Sequence, residues 1–192
     1  MLGMTSPKVR HLLNNLCNFN GCRYLEIGLW TGSTLIPAIY ENSLKYWGLD
    51  NWSEFRGGED PRVYFIHNFK VFFGEEAVPN ILDRDFKTVD FEKEGISKVN
   101  IFFYDGGHTE DDQYQALVHC YPALDAEFVF VVDDWNEEPV RRGTDRAIKD
   151  LGLHAIYHQV LPATRKQDLD LWWNGVGVYV FKKSPAAQAV VA

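Results

Sequence analysis

Cysteine is scarce in this 192-residue chain, and Cys17, Cys22 and Cys120 are odd in number with no C-x-x-C pair among them. That excludes a disulfide frame and a thiolate zinc site, and suits reduced thiols in a cytoplasmic protein. The six histidines include one H-x-x-x-H pair, His154 and His158, but it lies in an expected strand, and no H-E-x-x-H spacing occurs, so a histidine zinc site is not expected either. No apolar run approaches the roughly 20 residues that span a bilayer, and the first residues lack the apolar core of a secretion signal. Membrane partners are therefore not expected. Positive charge is also short: 19 Lys and Arg against 27 Asp and Glu leave a formal charge of −8. A nucleic-acid binder needs a basic face for the phosphates, so nucleic acid is not an expected partner.

What is present is an ordinary globular composition, 46% hydrophobic and 24% charged, in a length suited to one domain. Residues 1–184 read as that domain and 185–192 as a frayed tail. Ser6-Pro7 is a cap-then-proline start for a helix with Val9, Leu12, Leu13 and Leu16 as its apolar stripe. Strands are expected at 24–29, 44–49, 78–82, 99–104, 127–132, 154–161 and 176–181. A short helix should follow Gly32-Ser33, and an aromatic-rich amphipathic helix should cover 63–73 behind Asp60-Pro61. Another short helix is expected within 87–98. Thr109-x-x-Asp112 resembles a capping box for a helix to about Tyr121, and a last helix should run over 139–151 to a stop at Gly152. Strands alternating with helices, then two strands in succession, predict a Rossmann-like, doubly wound α/β fold. Its seven-stranded sheet should be mostly parallel, with an antiparallel last strand and helices on both faces.

The segment 24–35 organises the rest. Tyr24-Leu25-Glu26-Ile27 leads into Gly28-Leu29-Trp30-Thr31-Gly32-Ser33, a strand, a glycine turn and a helix start in succession. Such a corner is a phosphate or nucleotide type of site, or a plain strand-to-helix corner. Gly28-x-x-x-Gly32 is not G-x-G-x-x-G, which disfavours a nicotinamide-dependent dehydrogenase. Glu26, just before the turn, suits a cationic ligand better than a pyrophosphate.

In an open α/β sheet, ligands bind beyond the carboxyl ends of the strands. Here the expected strands end on acids: Glu26, Asp50, Asp83 or Asp85, Asp105, and Asp133-Asp134. Carboxylates converging on one crevice repel unless a cation neutralises them. Asp50 can accept ribose hydroxyls, or serve as a cap. Asp85 can accept from an adenine amino group, with Phe86 stacked on the ring. Asp105, Asp133 and Asp134, with Asn136 nearby, are hard oxygen donors suited to Mg²⁺, Mn²⁺ or Ca²⁺; adjacent acids also serve as turn residues. His108 could act as a general base if neutral, or merely cap and pack. Trp30, Trp52, Trp135, Trp172 and Trp173 are candidate walls of a pocket, or core.

These residues together resemble the class I S-adenosylmethionine-dependent methyltransferases, nearest to the metal-dependent macrocin and sugar O-methyltransferase type and more distantly to the catechol type. The resemblance covers roughly residues 20–182 and rests on Tyr24-Leu-Glu-Ile-Gly-x-x-x-Gly-Ser33, Gly48-Leu-Asp50, Tyr104-Asp-Gly-Gly-His-Thr109 and Val131-Val-Asp-Asp-Trp135. It implies O-methylation of a small-molecule hydroxyl, with S-adenosylmethionine and Mg²⁺ or another divalent cation as cofactors. It implies Glu26, Gly28, Gly32 and Ser33 at the methionine end and ribose-facing turn, Asp50 at the ribose, and Asp85 and Phe86 at adenine. Asp105 would serve the cofactor, the metal and catalysis, Asp133 and Asp134 the metal. His108 falls where the catechol type has a catalytic lysine, which leaves the base open. With few residues before the first strand, the acceptor site is expected to be open or completed by a second copy in a homodimer. The alternative is a non-catalytic binding or assembly protein that keeps the fold.

Overall fold

The computed structural model describes residues 3–54, 58 and 60–183. The expected tail, and Phe55 and Gly57 of the loop after the second strand, lie outside the described residues. The helices are α1 Pro7–Cys17, α2 Leu35–Ile39, α3 Pro61–Phe73, α4 Glu110–Cys120 and α5 Glu138–Asp150. The strands are β1 Arg23–Ile27, β2 Lys45–Asp50, β3 Ile81–Asp83, β4 Val99–Tyr104, β5 Leu124–Val132, β6 Ala155–Leu161 and β7 Val176–Lys182. They form one seven-stranded sheet in the order β3-β2-β1-β4-β5-β7-β6. Pairing is parallel from β3 to β5, and β7 runs antiparallel to both β5 and β6. This is the doubly wound sheet with one reversed strand that the sequence pattern predicts.

Local chemistry sets the helix starts. Ser6 Oγ accepts from Val9 N, and Asp60 accepts from Arg62 N, each with proline at the next position. Thr109 Oγ1 accepts from Asp112 N at 3.1 Å and donates to Asp112 Oδ2 at 2.6 Å, a side-chain variant of the capping box. The 87–98 segment forms no α-helix. Only a 3₁₀ turn at Phe86–Thr88 is regular, because Phe86, Val89, Phe91 and Ile96 are all buried and their spacing does not make one helical stripe. Helix α3 is apolar nearly all round, with Val63 and Val71 more than half exposed, so its amphipathic character is weaker than the sequence suggested.

Alternation along the strands sorts the core into two layers. Leu25, Ile27, Phe102, Tyr104, Phe130 and Val132 face α4 and α5 residues such as Leu117 and Val140. Tyr24, Ile101, Phe103 and Val131 face residues of α1, α2 and α3 such as Leu13, Ile36 and Phe65. Each fully buried large side chain contributes about 1.5–3 kcal/mol of transfer free energy. At the carboxyl edge the ladder runs one residue past the strands: Gly28 N donates to Leu49 O, Asp105 N to Ile27 O and Asp133 N to Tyr104 O. That brings the loops bearing Gly28, Asp105 and Asp133-Asp134 to one height.

Candidate functional site

A cavity of about 390 Å³ opens at this carboxyl edge. Its floor is the turn after β1. Gly28 has φ +93°, and a Cβ there would lie 1.9 Å from the Asp105 carbonyl oxygen, so only glycine lets the β1 turn pass under the β4 loop. Asp50, the last residue of β2, ties that turn down. Its Oδ2 accepts from Leu29 N at 2.7 Å and Trp30 N at 2.8 Å, and its Oδ1 accepts from Trp52 N at 2.7 Å. A carboxylate offers about four acceptor positions, so roughly one remains.

Gly28, Ser33, Asp50, Asp85, Phe86, Asp105 and His108 line the cavity together with Trp30, Trp52 and Trp173. Asp85 caps the 3₁₀ turn by accepting from Lys87 N, and Phe86 is buried with its ring edge-on to Tyr104. Lys87 reaches from the same turn to Asp112 of α4 at 2.5 Å, across the rim. Among the described residues, seven non-glycine residues have positive φ, and five of them, Trp30, Trp52, Asp134, Gln167 and Trp173, line this cavity. Backbone strain concentrated in this way is characteristic of binding sites.

Glu26 stands behind the wall instead of in it. It is 0% exposed, accepts from Tyr24 Oη and from Thr34 Oγ1, and binds β1 to the start of α2. Burial raises its carboxyl to about 8 against the pull of those hydrogen bonds. Its expected place at a ligand's methionine end is therefore indirect. Gly32, at φ +85°, packs against Ile36 and Phe65 and shapes the turn without facing the cavity. Asp83 pairs with Arg62 outside it. Trp135 is core, edge-on to Tyr179, and Trp172 packs on the α1 layer.

At the far end of the cavity, Asp105, His108 and Asp134 bring one ligand atom each to within 4.8 Å of the others. His108 Nε2 lies 2.7 Å from Asp134 Oδ2 and 4.0 Å from Asp105 Oδ1. Its two carboxylate neighbours, Asp105 and Asp134, raise the imidazole to about 11, so with no ion bound it is a cation at neutral pH, unlike the neutral base expected from the sequence; an ion bound through the imidazole would displace that proton. Burial raises the Asp105 carboxyl to about 7. Burial opposes ionisation of Asp134 too, but hydrogen bonds from His108 and Asn174 outweigh it and hold that carboxyl below its usual range. Asp133 is not one of the three, though it is close enough to feel the charges of Asp105, Asp134 and His108. It is 2% exposed, its Oδ1 has no hydrogen-bond partner among the described residues, and burial drives its carboxyl well up.

Asn174 is a site residue that sequence reasoning missed. It donates to Asp134 Oδ1 at 2.6 Å, and its own Oδ1 accepts from Gln167 N at 2.8 Å. The loop carrying it is knotted by buried Asp168, which accepts from Thr164 Oγ1, Asp170 N and Leu171 N and pairs with Trp173. Asn136, an expected oxygen donor, turns to this loop, its Nδ2 donating to Ala163 O and its backbone N to Asn174 O, and it does not line the cavity.

No protein-family model matches the chain, and no curated protein matches it in sequence. Solved structures do. An O-methyltransferase from Bacillus cereus, in complex with S-adenosylhomocysteine, superposes with a TM-score of 0.65 at 15% identity, over 93% of this chain and 82% of the other. The O-methyltransferase TomG from Streptomyces achromogenes, involved in tomaymycin synthesis and in complex with S-adenosylmethionine, gives 0.62 at 15% identity over 92% and 80%. A protein assigned as an RNA methyltransferase from Pyrococcus horikoshii gives 0.61 at 13% identity over 93% and 81%. The chain has the fold of the class I S-adenosylmethionine-dependent methyltransferases.

Proposed function

We propose that the chain is an S-adenosylmethionine-dependent methyltransferase that methylates a hydroxyl of a small molecule with the help of a divalent cation. The observation that carries this reading is one continuous cavity. It runs from the glycine turn at Gly28, fastened by Asp50, to the group Asp105, His108 and Asp134. The open acceptor position of Asp50 suits a ribose hydroxyl, Asp85 and Phe86 suit adenine, and Gly28 and Ser33 suit the methionine end. Acids on the wall, among them Asp50, Asp85, Asp105 and Asp134, suit a sulfonium cation.

The donor set at the far end fits a divalent ion: two carboxylates and an imidazole whose ligand atoms converge within 4.8 Å. Asp105, His108 and Asp134 would hold it, Mg²⁺ on the sequence reading. Bound there, it would supply a Lewis acid that lowers the pKa of the acceptor hydroxyl. The chain's own part is alignment. The cavity walls hold sulfonium and hydroxyl in line, so that the C–O bond forms as the C–S bond breaks. The proton that the hydroxyl loses would leave to solvent at this end, past Asp105 and half-exposed His108, which would act as ligands there and not as its acceptors. Without an ion, the imidazolium of His108 is the counter-charge of the two carboxylates.

A second reading, methylation of RNA, is favoured by the Pyrococcus horikoshii neighbour. The formal charge of −8 and the acidic cavity wall favour the small molecule. A non-catalytic protein would bind the cofactor and transfer nothing. The test is transfer of labelled methyl from S-adenosylmethionine to a panel of hydroxylated sugars, phenols and polyketides, and to RNA, with and without EDTA. Transfer to a small molecule that stops in EDTA and in Asp105→Asn supports the proposal. Transfer to RNA alone, or to nothing, rejects it.

A further inference from the structure

Resting on that reading, we propose that this chain uses the His108 imidazole as a ligand to its cation, beside Asp105 and Asp134, and so takes Fe²⁺ or Co²⁺ in preference to Mg²⁺ or Ca²⁺. The sequence pattern pointed to three oxygens, from Asp105, Asp133 and Asp134. The fold presents a different trio. Asp133 is buried off the cavity wall, while Asp134, at φ 52°, turns the chain so that its carboxylate lies beside His108.

The spacing suits an ion. Ligand atoms about 2.1 Å from an octahedral centre stand about 3 Å apart at neighbouring positions and about 4.2 Å apart at opposite ones. His108 Nε2 is 2.7 Å from Asp134 Oδ2 and 4.0 Å from Asp105 Oδ1, so small side-chain shifts admit the ion between them.

The imidazole is held in place by its surroundings. It follows Gly106-Gly107, where a Cβ on Gly107 would lie 2.6 Å from Asp112 Oδ2, and it precedes Thr109, the cap of α4. That close packing keeps His108 on a braced turn. Asn174 holds the other oxygen of Asp134 at 2.6 Å, an outer hydrogen bond of the kind that orients carboxylate ligands. Beyond the cluster, a second hollow of about 360 Å³ shares His108 and Asp134 with the main cavity and is edged by Glu137 and Lys166.

The chemistry follows from the nitrogen. Mg²⁺ and Ca²⁺ are hard ions that select oxygen, whereas an imidazole raises the affinity of a site for first-row transition ions.

The test is calorimetric titration of the EDTA-stripped full chain with Co²⁺, Mn²⁺ and Mg²⁺, with Co²⁺ absorption spectra taken in parallel. Co²⁺ is expected to bind roughly tenfold or more tightly than Mg²⁺, with Mn²⁺ between them. His108→Asn should bring Co²⁺ down to the level of Mg²⁺ and change its visible bands, while Asp133→Asn should leave Co²⁺ affinity as it was. Melting curves establish that both variants fold. Equal affinities for Co²⁺ and Mg²⁺, Co²⁺ binding indifferent to His108→Asn, or loss of binding in Asp133→Asn overturns the assignment. So does the absence of any ion binding. S-adenosylhomocysteine titrated into the same samples separates the two claims: cofactor binding without ion binding leaves the methyltransferase reading standing.

Discussion

His108 Nε2 and Asp134 Oδ2 are 2.7 Å apart, an imidazole from the turn after β4 and a carboxylate from the turn after β5. The pair closes the far end of the cavity, and it should be visible in the pH dependence of stability. An imidazole raised from 6.5 to about 11 contributes stability that is whole below 6.5 and is lost as pH rises toward 11. Asp134, held low, contributes above about pH 4 and less as the pH falls through that range. In EDTA, the melting temperature of the native chain should exceed that of His108→Asn most between about pH 5 and 6.5. The gap should narrow toward pH 10. A gap that widens with rising pH contradicts the pairing.

Glu26 predicts a fall of the opposite origin. A carboxyl raised from 4.5 to about 8 leaves the folded chain holding a proton that the unfolded chain has released. Stability should therefore drop as pH rises from about 4.5 to 8, then level off. Glu26→Gln keeps acceptor and donor atoms at the site but cannot ionise, so it should fold and lack that drop. Parallel urea titrations of the two proteins at pH 5 and pH 8.5 make the comparison, and equal pH slopes would refute the buried, neutral Glu26.

Gly28→Ala should cost roughly 3 kcal/mol or more, combining a left-handed backbone with a clash against backbone that cannot yield. The Cβ would meet the Asp105 carbonyl at 1.9 Å. Gly21→Ala, at φ +86° with nothing within 4 Å, carries only the backbone strain and should cost less. Equal losses on chemical unfolding would show that the contact with the β4 loop is not tight.

Asn174→Ala removes the hydrogen bond that holds Asp134 Oδ1 and the acceptor for Gln167 N. Under the proposed function, kcat/KM for methyl transfer should fall about 10- to 100-fold, as when a partner of a metal-site ligand is lost. Affinity for S-adenosylhomocysteine should stay near the native value. Loss of both together would assign Asn174 to holding the loop and not to positioning Asp134.

Much of this was legible in the sequence because it is local. Apolar runs ending on acids marked β1, β2, β4 and β5. Parallel pairing then put the residues after β4 and β5 at one height, so Asp105 and Asp134 meet as their positions suggested. What could not be read depends on direction and distance. Glu26 shares a strand face with Tyr24 and turns inward to Thr34, whereas Asp50 spends three acceptor positions on the glycine turn and on Trp52. Neighbouring Asp133 and Asp134 part company because Asp134 alone takes a left-handed backbone. Asn174 arrives from a loop whose shape is set by Asp168, and no periodicity in the sequence signals that knot.

Under the proposed function, the cavity over the glycine turn holds S-adenosylmethionine. Melting temperature measured with S-adenosylmethionine, S-adenosylhomocysteine and NADH, for the native chain and Asp50→Ala, tests it directly. Both adenosyl ligands should raise the native melting temperature, NADH should not, and Asp50→Ala, though folded, should lose the shift. A native chain stabilised by NADH and indifferent to both adenosyl ligands would contradict it.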